Sequence, residues 1–296
     1  MTTPVTTARV PAAHTETGGL SLITSGLVQI YRTEGHDVAA LSGVTLSVAP
    51  GEVVGLLGPS GSGKSTLLLA CAGLLRPSAG KLVVNGQNLA KLTQDELDTL
   101  RATRLGILLQ GASNNLVPYL SCVENVAFAQ STSAGRDGAR AATLPSPQEV
   151  LELVGLPPDD RPLVGLPAGQ LQLLAIAAAI AHRPGLVLAD EPTSQLDHAA
   201  RDRVLEALGR INAELGTTVM LVTHDPEVAA RLPRTVTIRN GRIGAEGRSG
   251  EDFAIVTADG SLPLPPEALE VVPPGTLLRV RETEHGLELL RVEDET

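Results

Sequence analysis

From Leu20 to Ile30 apolar and small polar residues alternate, as on a half-buried strand, and Leu41 to Val48 repeats the pattern. Pro50-Gly51 predicts a turn, and the apolar run Val53-Val54-Gly55-Leu56-Leu57 predicts a buried strand. A glycine-rich loop then opens a helical pattern from Lys64 to Ala72, and a strand-like Lys81–Val84 ends at Asn85-Gly86. Asp95 to Arg104 predicts a helix with acids first and bases last, the order a helix dipole favours. Between Gly111 and Arg183 strand signals fade. Ser131 to Pro147 reads as a Gly/Ala/Ser/Pro linker, and helices are predicted over Gln148–Val154 and Gly169–His182. Strands return at Leu186–Ala189, Thr218–Val222 and Thr235–Arg239, with an amphipathic helix, His198–Leu215, between the first two. This alternation predicts an α/β fold with a mainly parallel sheet core and an inserted helical subdomain at about 111–185. Past Gly250, Ile255-Val256-Thr257, Leu277–Arg281 and Leu287–Val292 predict short strands between Pro-rich turns. The expected organisation is a disordered leader over 1–19, a main domain over 20–248 and a small β-rich C-terminal appendage over 249–296.

Composition narrows the function. Of 296 residues only about 1% are aromatic (two Tyr, two Phe, no Trp), so the core must be aliphatic and a base-stacking nucleic-acid surface is excluded. A net charge of −10 argues further against a phosphate-backbone binder, and no nucleic-acid partner is expected. Cys71 and Cys122 have neither CxxC spacing nor a neighbouring His cluster, which predicts two ordinary thiols in a reducing compartment. The longest apolar run, Leu173 to Ala181, is far short of the roughly 18–20 residues that cross a bilayer. Residues 1–19 have no apolar signal core. The expectation is a cytosolic protein with at most a peripheral membrane role.

The chemistry concentrates in Gly58-Pro59-Ser60-Gly61-Ser62-Gly63-Lys64-Ser65-Thr66, which follows an apolar strand and opens a helix. That context predicts a P-loop. Its glycines let backbone N–H groups converge on phosphate oxygens, and the helix N-terminus adds positive potential. Lys64 is expected to reach the β- and γ-phosphates and the Ser65 hydroxyl to ligate Mg²⁺. A plain Gly/Ser turn would not account for Lys64-Ser65 at this spacing. Leu186-Val187-Leu188-Ala189 ends in two acids, Asp190 and Glu191. Successive strand residues point to opposite faces, so Asp190 is read as holding Mg²⁺ through water and Glu191 as polarising the attacking water.

With these motifs in this order, the chain from about Leu22 to Ala245 resembles the ATP-binding subunits of ABC transporters. The resemblance implies a P-loop NTPase of ABC type, with an antiparallel β subdomain beside the parallel core, and ATP and Mg²⁺ as ligands. Pro192-Thr193-Ser194-Gln195-Leu196-Asp197 resembles the D-loop, placing Asp197 at the nucleotide. Thr223-His224-Asp225 resembles the switch segment, making His224 the γ-phosphate sensor. Gln110, after Ile107-Leu108-Leu109, sits where the family has its Q-loop glutamine, which touches Mg²⁺ or water and couples to the membrane subunit. Tyr31 takes the place of the aromatic that stacks on adenine.

One segment departs from the family. Where it has Leu-Ser-Gly-Gly-Gln, this chain has Leu166-Pro167-Ala168-Gly169-Gln170. In the family that segment caps the γ-phosphate bound to the opposite subunit, so Gly169 and Gln170 are expected at the partner's nucleotide. Pro167 brings neither hydroxyl nor N–H, and Ala168 adds a methyl where close backbone approach is wanted. Leu173 and Ala178 stand where the family is usually basic. The resemblance implies a head-to-tail dimer driving a separate integral-membrane permease from the cytoplasmic face. Either a homodimer or, as Pro167-Ala168 suggests, a heterodimer with an intact second subunit would serve. A regulatory or mechanotransmitting ATPase with slow turnover, or a soluble non-transport ABC protein, is the alternative. The spacing from Tyr31 to Ala40-Leu41, the helix Asp95–Arg101 and Glu124-Asn125-Val126 resemble the branch of macrolide and lipoprotein exporters and the cell-division ABC pair. The C-terminal piece resembles the swapped-hairpin fold of bacterial transition regulators. Its acids Glu282, Glu284, Glu288, Glu293 and Asp294 favour dimerisation or regulation over DNA binding.

Overall fold

A computed structural model of the chain describes residues 18–33, 36–138, 142–158, 160, 162–248, 251–254, 262, 264, 266–273, 275–283 and 286–291. The described residues form three sheets. Strands β1 (Leu22–Thr33), β2 (His36–Val48), β4 (Ala79–Val84) and β5 (Gln87–Asn88) form an antiparallel sheet in the order β2-β1-β4-β5. Strands β3 (Val53–Leu57), β6 (Leu105–Leu108), β7 (Leu186–Asp190), β8 (Thr218–Val222) and β9 (Arg234–Arg239) run parallel. Two antiparallel strands, β10 (Arg242–Arg248) and β11 (Glu251–Ala254), extend that sheet to the order β11-β10-β9-β3-β8-β7-β6. A hairpin of β12 (Leu278–Thr283) and β13 (Gly286–Arg291) is the third.

Helices α1 (Lys64–Cys71) and α2 (Gln94–Arg104) connect strands of the first half of the chain. Helices α3 (Cys122–Arg136), α4 (Pro147–Val154) and α5 (Ala168–Ile180) form the insertion between β6 and β7. Helix α6 (His198–Leu215) returns the chain to β8, α7 (Pro226–Ala229) leads to β9, and α8 (Pro266–Val271) precedes the hairpin.

Two aliphatic clusters hold these layers together, one on each face of the central sheet. Leu186, Leu188, Met220 and Val222 pack toward α1 and the antiparallel sheet, while Val187, Ala189, Val219 and Leu221 pack toward α5 and α6. Strands covered on both faces read as unbroken apolar runs, which is why β7 and β8 were so plain in the sequence. Cys71 and Cys122 are both buried, and burial pushes the Cys71 thiol up to about 12, far from thiolate chemistry.

Several expectations need correction. The Ser131–Pro147 linker is helical through Arg136. Ser133 is fully buried and Arg136 pairs with Asp95 of α2, so packing overrides the weak helix propensity of Ser131-Thr132-Ser133. Glu191 lies just past β7, not within it. Gly19, assigned to the leader, leaves no room for a Cβ, which would sit 2.2 Å from the Gly51 nitrogen and 2.6 Å from the Gly216 oxygen. The rest of that leader, residues 1–17, and the strand expected at 255–257 lie outside the described residues. Helix α8 falls in a stretch read as Pro-rich turns; a proline at the first helical position needs no N–H partner.

Candidate active site

The loop between β3 and α1 is shaped by backbone conformations that only glycine adopts freely. Gly58 has φ +143° and Gly63 φ +102°; a Cβ would lie 2.1 Å from the Ile238 oxygen at the first and 2.3 Å from the Ala40 oxygen at the second. Gly61, with φ +76°, opens onto free space. Neighbouring strands pin the loop: the Gly241 N–H donates to the Ser62 oxygen (3.1 Å) and the Ser42 N–H to the Gly241 oxygen (2.8 Å). Lys64 is buried, its Nζ donating to the Gly58 and Pro59 carbonyls at 2.8 Å each. The Ser62 hydroxyl is buried and has no protein partner. The loop therefore wraps a buried lysine as a cradle, with the N-terminus of α1 behind it, the arrangement that suits an anion.

Asp190 ends β7 beside this cradle and accepts from the Ser65 hydroxyl at 3.1 Å. Burial pushes the Asp190 carboxyl above the ordinary range. The Glu191 charge acts in the same direction, while the Ser65 hydrogen bond and the Lys64 charge oppose it. Glu191 has φ +47°, a left-handed conformation that costs a non-glycine residue about 1–3 kcal/mol. That turn, not strand alternation, separates the two carboxylates. The Glu191 N–H is tied to the Val222 oxygen (3.1 Å), and its carboxylate Oε1 accepts from the Nδ1 of His224 (2.8 Å).

His224 follows β8, whose end is fixed by the Thr223 N–H donating to the Leu56 oxygen at 3.1 Å. Gln110, Glu191, Thr193–Leu196 and Thr223–Asp225 line one open cleft of about 300 Å³, so the residues expected from four separate motifs share a site. Gln110 is held by its neighbours. Asn115 accepts from the Leu109 N–H and donates to the Leu109 and Gly111 carbonyls, and Asn114 donates to the Gln110 carbonyl. No motif marks these asparagines in the sequence; their one signal is adjacency after a strand. Gln195, in the D-loop-like segment, is also left-handed at φ +63°.

Tyr31 stands at the P-loop helix, its hydroxyl 3.5 Å from that of Thr66, with the ring partly exposed. Asp197 directs its carboxylate to the Ala200 N–H (2.7 Å) as the cap of α6, an intrachain duty. Pro167 caps α5 without any side-chain acceptor, and Gly169 packs so closely on α6 that a Cβ would come 2.7 Å from the Ala200 Cβ. Leu173 and Ala178 are buried, so their apolar character serves the core. Gly169 and Gln170 thus start a helix and do not line the cleft.

A sequence profile described as ABC transporter matches residues 41–194. The lipoprotein-releasing system ATP-binding protein LolD 1 of Caulobacter vibrioides is 37% identical over 232 residues, 77% of this chain and 97% of the relative. LolD of Bordetella pertussis is 41% identical over 227 residues, 76% of this chain and 96% of the relative. The solved dimer of the ATP-binding cassette MJ0796 bound to ADP and Pi, a post-hydrolysis state, matches with a TM-score of 0.66 at 31% identity. That match covers 77% of this chain and 98% of the solved one.

Proposed function

Because the chain belongs to the ABC transporter family as an ATP-binding subunit, we propose that its P-loop, Asp190, Glu191, Gln110 and His224 hydrolyse ATP to drive a membrane permease. The observation that carries the site assignment is the meeting of three motifs at the carboxyl ends of the interior strands β3, β8 and β7: Ser65 with Asp190, and Glu191 with His224. The γ-phosphate is read as resting on the N–H groups of 58–66 and Lys64, with adenine against Tyr31. Glu191 takes the proton of the attacking water as the water oxygen bonds to the γ-phosphorus and the bond to the bridging oxygen breaks. The His224 side chain is 64% exposed, so the ring can exchange its hydrogen bond to Glu191 for one to a phosphate oxygen.

The Ser65 hydroxyl and the Asp190 carboxylate put two oxygen donors 3.1 Å apart, which suits a hard divalent cation completed by water and phosphate oxygens. Mg²⁺ held there would neutralise charge on the β- and γ-oxygens.

Among the described residues no helix is long and apolar enough to cross a membrane. The assignment to the cytoplasmic face is therefore through the permease, docking near Gln110 beside exposed Leu109 and Tyr119. Relatives named for lipoprotein release, and a macrolide export protein MacB of Syntrophobacter fumaroxidans at 39% identity, support an exporter of that branch. A second reading, slow turnover as a regulatory or mechanotransmitting ATPase, draws on the uncapped start of α5 at Pro167. We also read the β12–β13 hairpin as part of an appended unit for dimerisation or regulation, since Val280 and Leu287 are exposed on it.

Glu191→Gln tests the assignment. Phosphate release should fall by about a hundredfold or more while ATP still binds, as expected on losing a general base. Release at the wild-type rate would remove Glu191 from this role.

A further inference from the structure

Arg201 lies in the first turn of α6, four residues after the helix cap Asp197, and its guanidinium reaches sideways into the segment that follows His224. One terminal nitrogen donates to Asp225 Oδ2 at 2.8 Å; the other contacts the Glu227 carboxylate and donates to His198 Nδ1 at 2.6 Å. The side chain is only 14% exposed and its Nε is buried without a partner. Burying a donor unpaired is unfavourable, so the residue is held there by its two charged contacts.

Those contacts bear on His224. Asp225 follows it directly, accepting the Glu227 N–H at Oδ1 (2.8 Å) and donating its own N–H to the Thr223 hydroxyl (3.1 Å). On the other side of His224, Thr223 is anchored to β3 through the Leu56 oxygen. The imidazole that meets Glu191 is thus carried on a backbone fixed by Thr223 before it and by Arg201, through Asp225, after it. Arg201 is in turn part of the helix that begins where the 192–197 segment ends, its N–H donating to the Asp197 oxygen at 2.9 Å.

We propose that Arg201 is a positioning residue for hydrolysis: its bridge to Asp225 and Glu227 sets His224 against Glu191 and ties that placement to the 192–197 segment. Any shift of α6 relative to the sheet moves the Arg201 fork, and the fork moves the backbone of the switch. Planar, two-pronged contact is what the geometry uses, so lysine is a poor substitute. The proposal rests on the roles given above to Glu191 and His224.

The test is steady-state ATPase kinetics on the full-length chain, with binding of a non-hydrolysable ATP analogue measured separately. Arg201→Ala should lower kcat at least about tenfold, with KM for ATP and analogue affinity within about twofold of wild type, because Arg201 touches no nucleotide-binding residue of the P-loop. Arg201→Lys should recover part of kcat, and added guanidinium should raise the rate of Arg201→Ala but not of Glu191→Gln. Asp225→Asn takes the charge out of the same bridge at its other end, and the double variant should lose no more than the larger single loss. If Arg201→Ala does not fold, Asp225→Asn and Arg201→Lys carry the test. The inference is overturned if kcat of the bridge variants stays within twofold of wild type while Glu191→Gln is inactive, or if kcat and analogue affinity fall together. Turnover persisting in Glu191→Gln would instead sink the underlying assignment.

Discussion

Asp190 works against its surroundings. It is half-buried beside Glu191, and burial together with the Glu191 charge raises its pKa more than the Ser65 hydrogen bond and the Lys64 charge lower it. A carboxyl with a folded pKa above its unfolded value of about 3.9 binds protons more readily in the folded state. Its contribution to stability is therefore greatest below that unfolded value and declines as pH rises through the folded one. Asp190→Asn keeps an oxygen for the Ser65 hydroxyl and removes the charge. It should raise the melting temperature by about 1–3 °C at pH 7.5, with the gain shrinking toward zero as the pH is lowered below the carboxylate range, and it should abolish ATP hydrolysis. Thermal melts of both proteins at several pH values check the sign; a gain that persists unchanged in acid would mean that the charge is not its source. At this scale the sequence was informative where spacing is chemical. Gly58, Gly63 and Lys64 had to stand where they do because a turn and a cation are needed together. Arg201 gave no such signal, since an arginine in the first turn of an amphipathic helix is commonplace until its partners at 225 and 227 are seen.

Among the elements, α2 and the first two helices of the insertion depend on how they begin. Thr93, Ser121 and Ser146 each cap a helix and are answered by Glu96, Glu124 and Glu149, so α2, α3 and α4 all begin with a reciprocal capping box. The backbone and side-chain hydrogen bonds of Thr93 and Ser146 hold Glu96 and Glu149 below the usual carboxylate range. Depressed pKa values of this kind stabilise the fold above the unfolded glutamate pKa of about 4.3, and the benefit is lost as pH falls through the folded values. Ser121 is the buried member of the set, and its hydroxyl takes the Glu124 N–H at 3.2 Å. Ser121→Ala should cost about 1 kcal/mol, a drop of roughly 2–4 °C in melting temperature, with nucleotide affinity unchanged; calorimetry with and without ATP measures both. Helix α3 also marks the limit of reading elements from periodicity. Its second half lacks an apolar stripe, so the sequence suggested a linker, whereas Ser133 packs inside and the Arg136–Asp95 pair clasps α2. Strands β7 and β8 had no such ambiguity, being apolar on both faces.

On the scale of the whole molecule the decisive feature is what α5 presents at its start. In the family this chain resembles, a serine and two glycines here meet the γ-phosphate bound to the opposite subunit, yet Pro167 offers no side-chain donor and no N–H. Gly169 is committed to α6 through its approach to Ala200, so it cannot move outward to compensate. A homodimer would carry this deficit twice, whereas pairing with a subunit of intact sequence would leave one of two composite sites competent. Removing one donor to developing negative charge lowers turnover by about 10²–10³ in other enzymes, and this chain lacks at least one. Pro167→Ser with Ala168→Gly should therefore raise the ATPase rate of the purified chain with its permease at least about tenfold, with KM for ATP little changed. The serine would also cap α5, so a thermal melt is needed to separate a stability gain from a catalytic one. If the wild-type chain alone with its permease already turns over cooperatively from two equivalent sites, the start of α5 is sufficient as it stands, and the case for a second, different subunit falls.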